Sequence, residues 1–213
     1  MDLNVARERM VAEQLKARGI NDPRVLEAMR AVERHRFVSP SLIERAYEDG
    51  PLPIGAEQTI SQPYIVAEMV QIAQFKGDEK VLEVGTGCGY QAAILARLAR
   101  EVYTVECIPE LHRRAVTTLR EMGVTNCFLR LGDGSLGWPE AAPFDVIIVA
   151  AAMPGIPRPL LQQLSPCGRL IAPIGEDELQ TLVRIERVNG QWQESYFGEC
   201  RFVKMTGKFG FAP

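Results

Sequence analysis

Histidine is almost missing from this chain of 213 residues: only His35 and His112 occur, far apart, so a metal centre built on imidazole is not expected. Cysteine is sparse. Its five positions, 88, 107, 127, 167 and 200, are an odd number with no C-x-x-C pair, which argues against a disulfide framework and against a zinc site. Scattered thiols of this kind fit the reducing cytoplasm. Long apolar runs are lacking too: the longest, residues 146–153, is far too short to cross a bilayer, and no apolar signal segment opens the chain. No membrane association is expected. A charge excess of one sign is also missing, since the net charge is -3 with no long basic run, so no nucleic-acid partner is expected. Internal repeats and low-complexity stretches do not occur.

What is present is the balance of a soluble globular protein, 46% apolar and 24% charged, long enough to bury a core without covalent staples. One domain over residues 1–213 and a monomeric state are expected. Residues 1–76 read as helices followed by a loop. The spacing of Val5, Met10, Val11 and Leu15 predicts a helix over 3–17 with Gly19 as its stop, and Asp22 before Pro23 predicts a capped helix to residue 31. Prolines and glycines break every periodicity over 36–62, predicting a long irregular segment of the kind that usually serves a function. Ser61 is placed to cap a helix over 63–74, closed near Gly77.

From residue 77 to 175 strand and helix patterns alternate. Strands are predicted over 80–83, 102–106, 127–131, 145–150 and 169–174, with helices over 91–100, 109–122 and 159–164. The run DVIIVA at 145–150 is apolar on both faces, as the centre of a parallel sheet requires. This alternation predicts a doubly wound, Rossmann-like α/β sheet. Residues 176–213 depart from it: strand runs over 181–188 and 192–203 flank Asn189-Gly190, a type I′ turn signal, so the mostly parallel sheet should end in an antiparallel pair.

The chemistry is written after the strands. In VLEVGTGCGY at 81–90, Gly85, Gly87 and Gly89 form a loop on which a ligand can approach the backbone closely. The spacing is one residue tighter than a nicotinamide fingerprint, and Glu83 stands where its carboxylate is expected to face the ligand, repelling a pyrophosphate and attracting an ammonium. Glu106 ends the second strand, 21 residues after Gly85, where a carboxylate accepts hydrogen bonds from ribose hydroxyls. Asp133, between Gly132 and Gly134 after the third strand, is placed to accept from an adenine amino group. In a doubly wound sheet these strand ends converge on one crevice.

The E-x-G-x-G-x-G pattern resembles motif I of class I methyltransferases, which implies S-adenosylmethionine as cofactor, held by Glu83, Gly85, Thr86, Gly87, Gly89, Glu106, Cys107, Asp133 and Gly134, with no metal. By itself it leaves the methyl acceptor open. RHRFV at 34–38, AY at 46–47, PLPIG at 51–55, QTISQP at 58–63, GDG at 132–134, GWP at 137–139, APFD at 142–145 and RFV at 201–203 together resemble the protein-L-isoaspartate O-methyltransferases over roughly residues 5–205. The resemblance implies methylation of the free carboxyl of L-isoaspartyl residues in damaged proteins, from which repair proceeds through a succinimide. It makes Ser61 the active-site hydroxyl, Thr59, Ile60 and Ser61 one wall of the peptide site, and Val203 a backbone contact on another. The position of the irregular segment over 36–62 suits a lid, a motion the sequence leaves open. His35 is expected to be a structural hydrogen-bonder. Glu57 departs from the family pattern, standing where glycine is usual; if the backbone there has positive φ, glutamate strains the loop.

Overall fold

The computed structural model describes residues 2–176 and 178–211. The chain opens with α1 (Leu3–Arg9), capped by the Asp2 carboxylate, which accepts the Asn4 amide at 2.8 Å. The rod continues in π-helical geometry over Met10–Leu15 and tightens to 3₁₀ over Lys16–Arg18 before Gly19 stops it at φ +97°. The expected helix is therefore present, but only its first half is α. Asp22 caps α2 (Pro23–Ala31) as its position before Pro23 requires.

The segment expected to be irregular holds two short 3₁₀ turns and a hairpin that the pattern did not reveal. Its strands are β1 (Leu52–Gly55) and β2 (Gln58–Ile60), paired antiparallel with Gly55 opposite Gln58. The connecting residues Ala56 and Glu57 have φ of +50° and +59°, the left-handed pair of a tight hairpin turn built without glycine. That is why the turn was hard to read, and why Glu57 is strained. The following helix, α3 (Pro63–Ala73), begins with proline at its first position, which makes Gln62 the cap residue. Capping by Ser61 is thus corrected: it lies one residue too early, and its hydroxyl has no hydrogen-bond partner among the described residues. Gln74, at φ +54°, closes the helix ahead of Gly77.

Seven strands form the main sheet: β3 (Lys80–Val84), β4 (Glu101–Glu106), β5 (Cys127–Leu131), β6 (Phe144–Val149), β7 (Leu164–Ile174), β8 (Gln180–Val188) and β9 (Gln191–Cys200). They lie in the order β5-β4-β3-β6-β7-β8-β9. The first five are parallel and the last two join antiparallel, so the sheet is a Rossmann-like methyltransferase sheet with a C-terminal antiparallel pair. Asn189 and Gly190, at φ +53° and +82°, make the expected β8–β9 turn. Between strands run α4 (Tyr90–Ala96), α5 (Pro109–Glu121) and α6 (Arg158–Gln162); α4 stops four residues before the expected end.

Apolar side chains pack on both faces of the sheet. Val81, Val146, Ile148 and Ile171 meet α3, α4 and the N-terminal helices, while Leu82, Val84, Ile147 and Val149 meet α6 on the other side. Burial on both faces explains the unbroken apolar run of β6. The order reverses at β3, which runs from one neighbour to β4 and from the other to β6, and a crevice opens at the carboxyl ends of these strands.

Candidate active site

A cavity of about 300 Å³ fills that crevice. Its floor is the glycine loop. Gly85 turns at φ +94° and donates to the Val105 carbonyl at 2.9 Å, so the loop is fastened to β4. A Cβ on Gly85 would sit 3.6 Å from the Ala150 side chain and carbonyl, and one on Gly134 would sit 2.5 Å from Val84 Cγ1. Both glycines keep the wall thin. The Glu106 carboxylate is held from two directions: its Oε2 accepts the Gly87 amide at 2.7 Å and its Oε1 the Ile108 amide at 2.9 Å. Oε1 also accepts the Cys107 thiol at 3.7 Å, and Oε2 retains a lone pair for a ligand hydroxyl. Cys107 also lines the cavity, its Sγ 3.6 Å from Thr206 Oγ1.

Gly85, Gly87, Glu106, Cys107 and Gly134 therefore line one cavity, as do Thr59, Ile60, Ser61 and Val203. Glu83, Thr86, Gly89 and Asp133 do not. The expectation that the Glu83 carboxylate faces the ligand is corrected: strand alternation turns it beneath the loop, where it is wholly buried and accepts the Thr104 hydroxyl at 2.6 Å. Burial pushes its carboxyl up to about 8, against the Thr104 bond and with added help from the charge of Glu106. Thr86 extends the same chain, its hydroxyl 2.6 Å from that of Thr104. Gly89 serves packing, since a Cβ there would press on Leu119 at 3.3 Å.

Asp133 is engaged elsewhere. Its Oδ1 accepts the Ser135 amide at 2.9 Å and hydroxyl at 2.6 Å, and its Oδ2 the Lys208 amide at 2.8 Å. Burial opposes its ionisation, but these bonds outweigh burial and hold the carboxyl below its ordinary range. Asp133 thus lies outside the cavity lining and anchors the C-terminal segment, of which Thr206 lines the cavity.

A second cleft, of about 470 Å³, adjoins the first and shares Thr59, Ser61, Ala150 and Val203 with it. Arg18, Asp49, Tyr64, Glu68, Arg201 and Phe202 lie around it. The Arg18 guanidinium stacks 3.7 Å above the Tyr64 ring and pairs with Asp49 at 2.9 Å, while Gln62 Nε2 donates to Asp49 Oδ1 at 2.7 Å. This mesh orders the chain around Ser61. The Val203 carbonyl accepts the Ala152 amide at 2.8 Å, tying the C-terminal segment to the end of β6. His35 lines neither cavity; its Nδ1 bonds the Tyr47 hydroxyl at 2.8 Å, and burial lowers its pKa.

Several lining residues were not anticipated, among them Ile54, Gln91, Ala150, Lys204 and Thr206. Ala150 was within reach of sequence reasoning, because it follows a strand beside β3. Nothing in the sequence pattern points to 204–206.

The family model for protein-L-isoaspartate(D-aspartate) O-methyltransferase matches residues 6–210. Protein-L-isoaspartate O-methyltransferase 1 of Syntrophobacter fumaroxidans is 53% identical over 206 residues, spanning 97% of this chain and 96% of its own. The Geobacter metallireducens protein-L-isoaspartate O-methyltransferase is 49% identical over 212 residues, spanning 99% and 98%. Among solved structures, a protein-L-isoaspartate O-methyltransferase, 29% identical, superposes with a TM-score of 0.87 over 96% of this chain and 67% of its own. A Plasmodium falciparum protein assigned to the same activity, 25% identical and in complex with S-adenosyl-L-homocysteine, does so with 0.81 over 94% and 98%.

Proposed function

The chain belongs to the protein-L-isoaspartate(D-aspartate) O-methyltransferase family, and from that premise we propose that Ser61 positions the isoaspartyl carboxylate where the two cavities meet. The protein is an S-adenosylmethionine-dependent methyltransferase acting on L-isoaspartyl residues of proteins. The observation that carries the Ser61 assignment is its place in both cavities at once, with a hydroxyl that no described residue engages.

The residues of the first cavity fit the cofactor. Gly85, Gly87 and Gly134 would let it lie against backbone, Glu106 would accept its ribose hydroxyls, and Cys107 would close the same end. Gln91 is buried at the wall with an Nε2 that lacks a protein acceptor, a donor suited to a ligand oxygen. S-adenosylmethionine supplies an activated methyl group, which the isoaspartyl carboxylate, already ionised at neutral pH, accepts as an ester without loss of a proton.

That demand explains the absence of a base among the groups assigned here. The protein's work is alignment and exclusion of water. The Ser61 hydroxyl donates to one carboxylate oxygen and leaves the other free to react. Thr59 and Ile60 form the wall beside it, and Val203 faces them from the C-terminal segment, offering backbone to an extended peptide. Work as a cytoplasmic monomer, without nucleic acid or membrane, is part of the same proposal; among the described residues no helix is long and apolar enough to cross a membrane.

The test uses methyl-labelled S-adenosylmethionine and two peptides differing only in aspartyl or isoaspartyl linkage. Base-labile label on the isoaspartyl peptide alone, lost in Ser61→Ala with product binding retained, is the expected result. Full activity of Ser61→Ala would remove Ser61 from the mechanism.

A further inference from the structure

Among the described residues, one fully buried cation has no counter-ion. Arg34, in the 3₁₀ turn Arg34–Phe37, is completely buried, and no carboxylate pairs with it among the described residues. Its Nε donates to the Ala46 carbonyl at 2.8 Å and its Nη2 to the Gly50 carbonyl at 3.4 Å, while Nη1 has no partner. The guanidinium stands 4.9 Å from the centre of the Tyr90 ring. Burial pushes its pKa down, opposed chiefly by Tyr90 and Cys88, yet arginine keeps its proton in proteins.

The neighbours do not neutralise it. Burial pushes the Cys88 thiol up to about 11 and the Tyr90 hydroxyl up to about 12, so both are uncharged at neutral pH. An isolated buried charge is strongly unfavourable, and removing one partner of a buried pair is among the more damaging changes a fold can suffer. The fold holds this one alone, in a place that an anion would relieve. Cys88 and Tyr90 are the layer between Arg34 and the first cavity, and both line that cavity. Gln91, the next residue, lines it as well with its own unpaired donor. Glu106 accepts from the Gly87 and Ile108 amides, and Glu83 Oε2 from the Thr104 hydroxyl, while Glu83 Oε1 is buried without a partner. Lys204, a cation at the cavity, lies 4.8 Å from the Phe211 ring.

We infer that Arg34 is a positioning residue for the amino-acid end of the cofactor: its charge, acting through Cys88 and Tyr90, favours the cofactor carboxylate, with Gln91 as the direct donor. This rests on the cofactor reading given above. The two carbonyl bonds add a mechanical part, because they hold the charge against residues 46–50, which carry Asp49 and Gly50 into the acceptor cleft.

The experiment is calorimetric binding of two ligands to wild type, Arg34→Met and Arg34→Lys. One is S-adenosylhomocysteine; the other is its decarboxylated analogue, which keeps the ammonium and the adenosine. Arg34→Met is expected to weaken S-adenosylhomocysteine about tenfold or more and the analogue less than about threefold, whereas Arg34→Lys keeps the ratio of the two affinities. Equal weakening of both ligands would reduce Arg34 to a structural role, and no weakening would remove it from the site. Should Arg34→Met fail to fold, Arg34→Gln, which keeps donors but no charge, decides: a selective loss of S-adenosylhomocysteine over the analogue supports the inference and an unchanged ratio overturns it. Failure of the wild type to bind S-adenosylhomocysteine would sink the cofactor reading and this inference together.

Discussion

The two cavities that meet at Ser61 are built in different ways. The cofactor cavity takes most of its floor from strand ends that neighbour one another in the sheet: the loop after β3, Glu106 at the end of β4, and Gly134 beyond β5. Hydrogen bonds between adjacent strand ends hold these groups, as the Gly85 amide to the Val105 carbonyl and the Gly87 amide to the Glu106 carboxylate show. The acceptor cleft draws on residues 18, 49–51, 59, 61, 62, 64, 65, 68, 150, 179 and 199–203, joined mainly by side-chain contacts such as Arg18 to Asp49 and Gln62 to Asp49. The first takes its floor from the sheet and is closed by residues within 54–66 and 203–206. The second has almost no sheet floor and is assembled from the N-terminal third and the C-terminal segment. The lesson is that cofactor binding and acceptor binding should be separable by mutation, with Ser61 as the point of contact.

The largest expected effect is at that contact. Ser61→Ala should lower kcat by about a hundredfold, the scale of lost reactant alignment, while calorimetric affinity for S-adenosylhomocysteine stays within about twofold. A parallel loss of product affinity would break the comparison, because Ser61 would then belong to the cofactor side. Next is Glu106→Gln. Removing a charge that organises two backbone amides and awaits ribose hydroxyls should weaken S-adenosylhomocysteine by about thirtyfold, as expected for charged hydrogen bonds, without changing the peptide KM. A raised peptide KM with intact product affinity would reverse the assignment.

Gly134→Ala probes the wall itself. Its new Cβ would lie 2.5 Å from Val84 Cγ1, so thermal unfolding should show a destabilisation of about 1–3 kcal/mol. Unchanged stability would mean that the wall yields. A subtler measurement follows pH. The Glu83 carboxyl is raised from 4.5 to about 8 in the folded protein, so between these values the native state holds a proton that the unfolded state has lost. Stability of the ligand-free protein should therefore fall as pH rises from about 5 to about 8. Glu83→Gln, which cannot titrate, should flatten that slope; an identical slope would show that Glu83 is not its source. Smallest is Glu57→Gly, which relieves φ +59° in the β1–β2 turn and should add up to about 1 kcal/mol of stability, read by denaturant titration. No gain would show that the turn is unstrained.

The same division governs what could be read in advance. The strands β3 to β7 follow from alternating apolar runs, and the C-terminal hairpin from Asn189-Gly190, because both signals are local. The β1–β2 hairpin escaped because Ala56 and Glu57 occupy left-handed positions that glycine or asparagine normally marks. Ser61 was singled out by family resemblance, and its physical rationale as a cap fell to Pro63, which moved the helix start onward. Glu83 and Asp133 were recognised as significant carboxyls, but the partners they meet, Thr104 and Lys208, lie 21 and 75 residues away.

By itself the sequence determined the sheet, the glycine loop, the carboxylate at the end of β4 and the family to which the chain belongs, since periodicity, glycine spacing and motif order are properties of neighbouring residues. Tertiary structure alone decided that Glu83 lies beneath the loop, that Asp133 holds the C-terminal segment, that Arg34 is buried without a counter-ion, and that Ser61 opens onto two cavities. Each of these depends on which distant group reaches the same point in space, and hydrogen bonding and burial there act between residues that no local pattern connects.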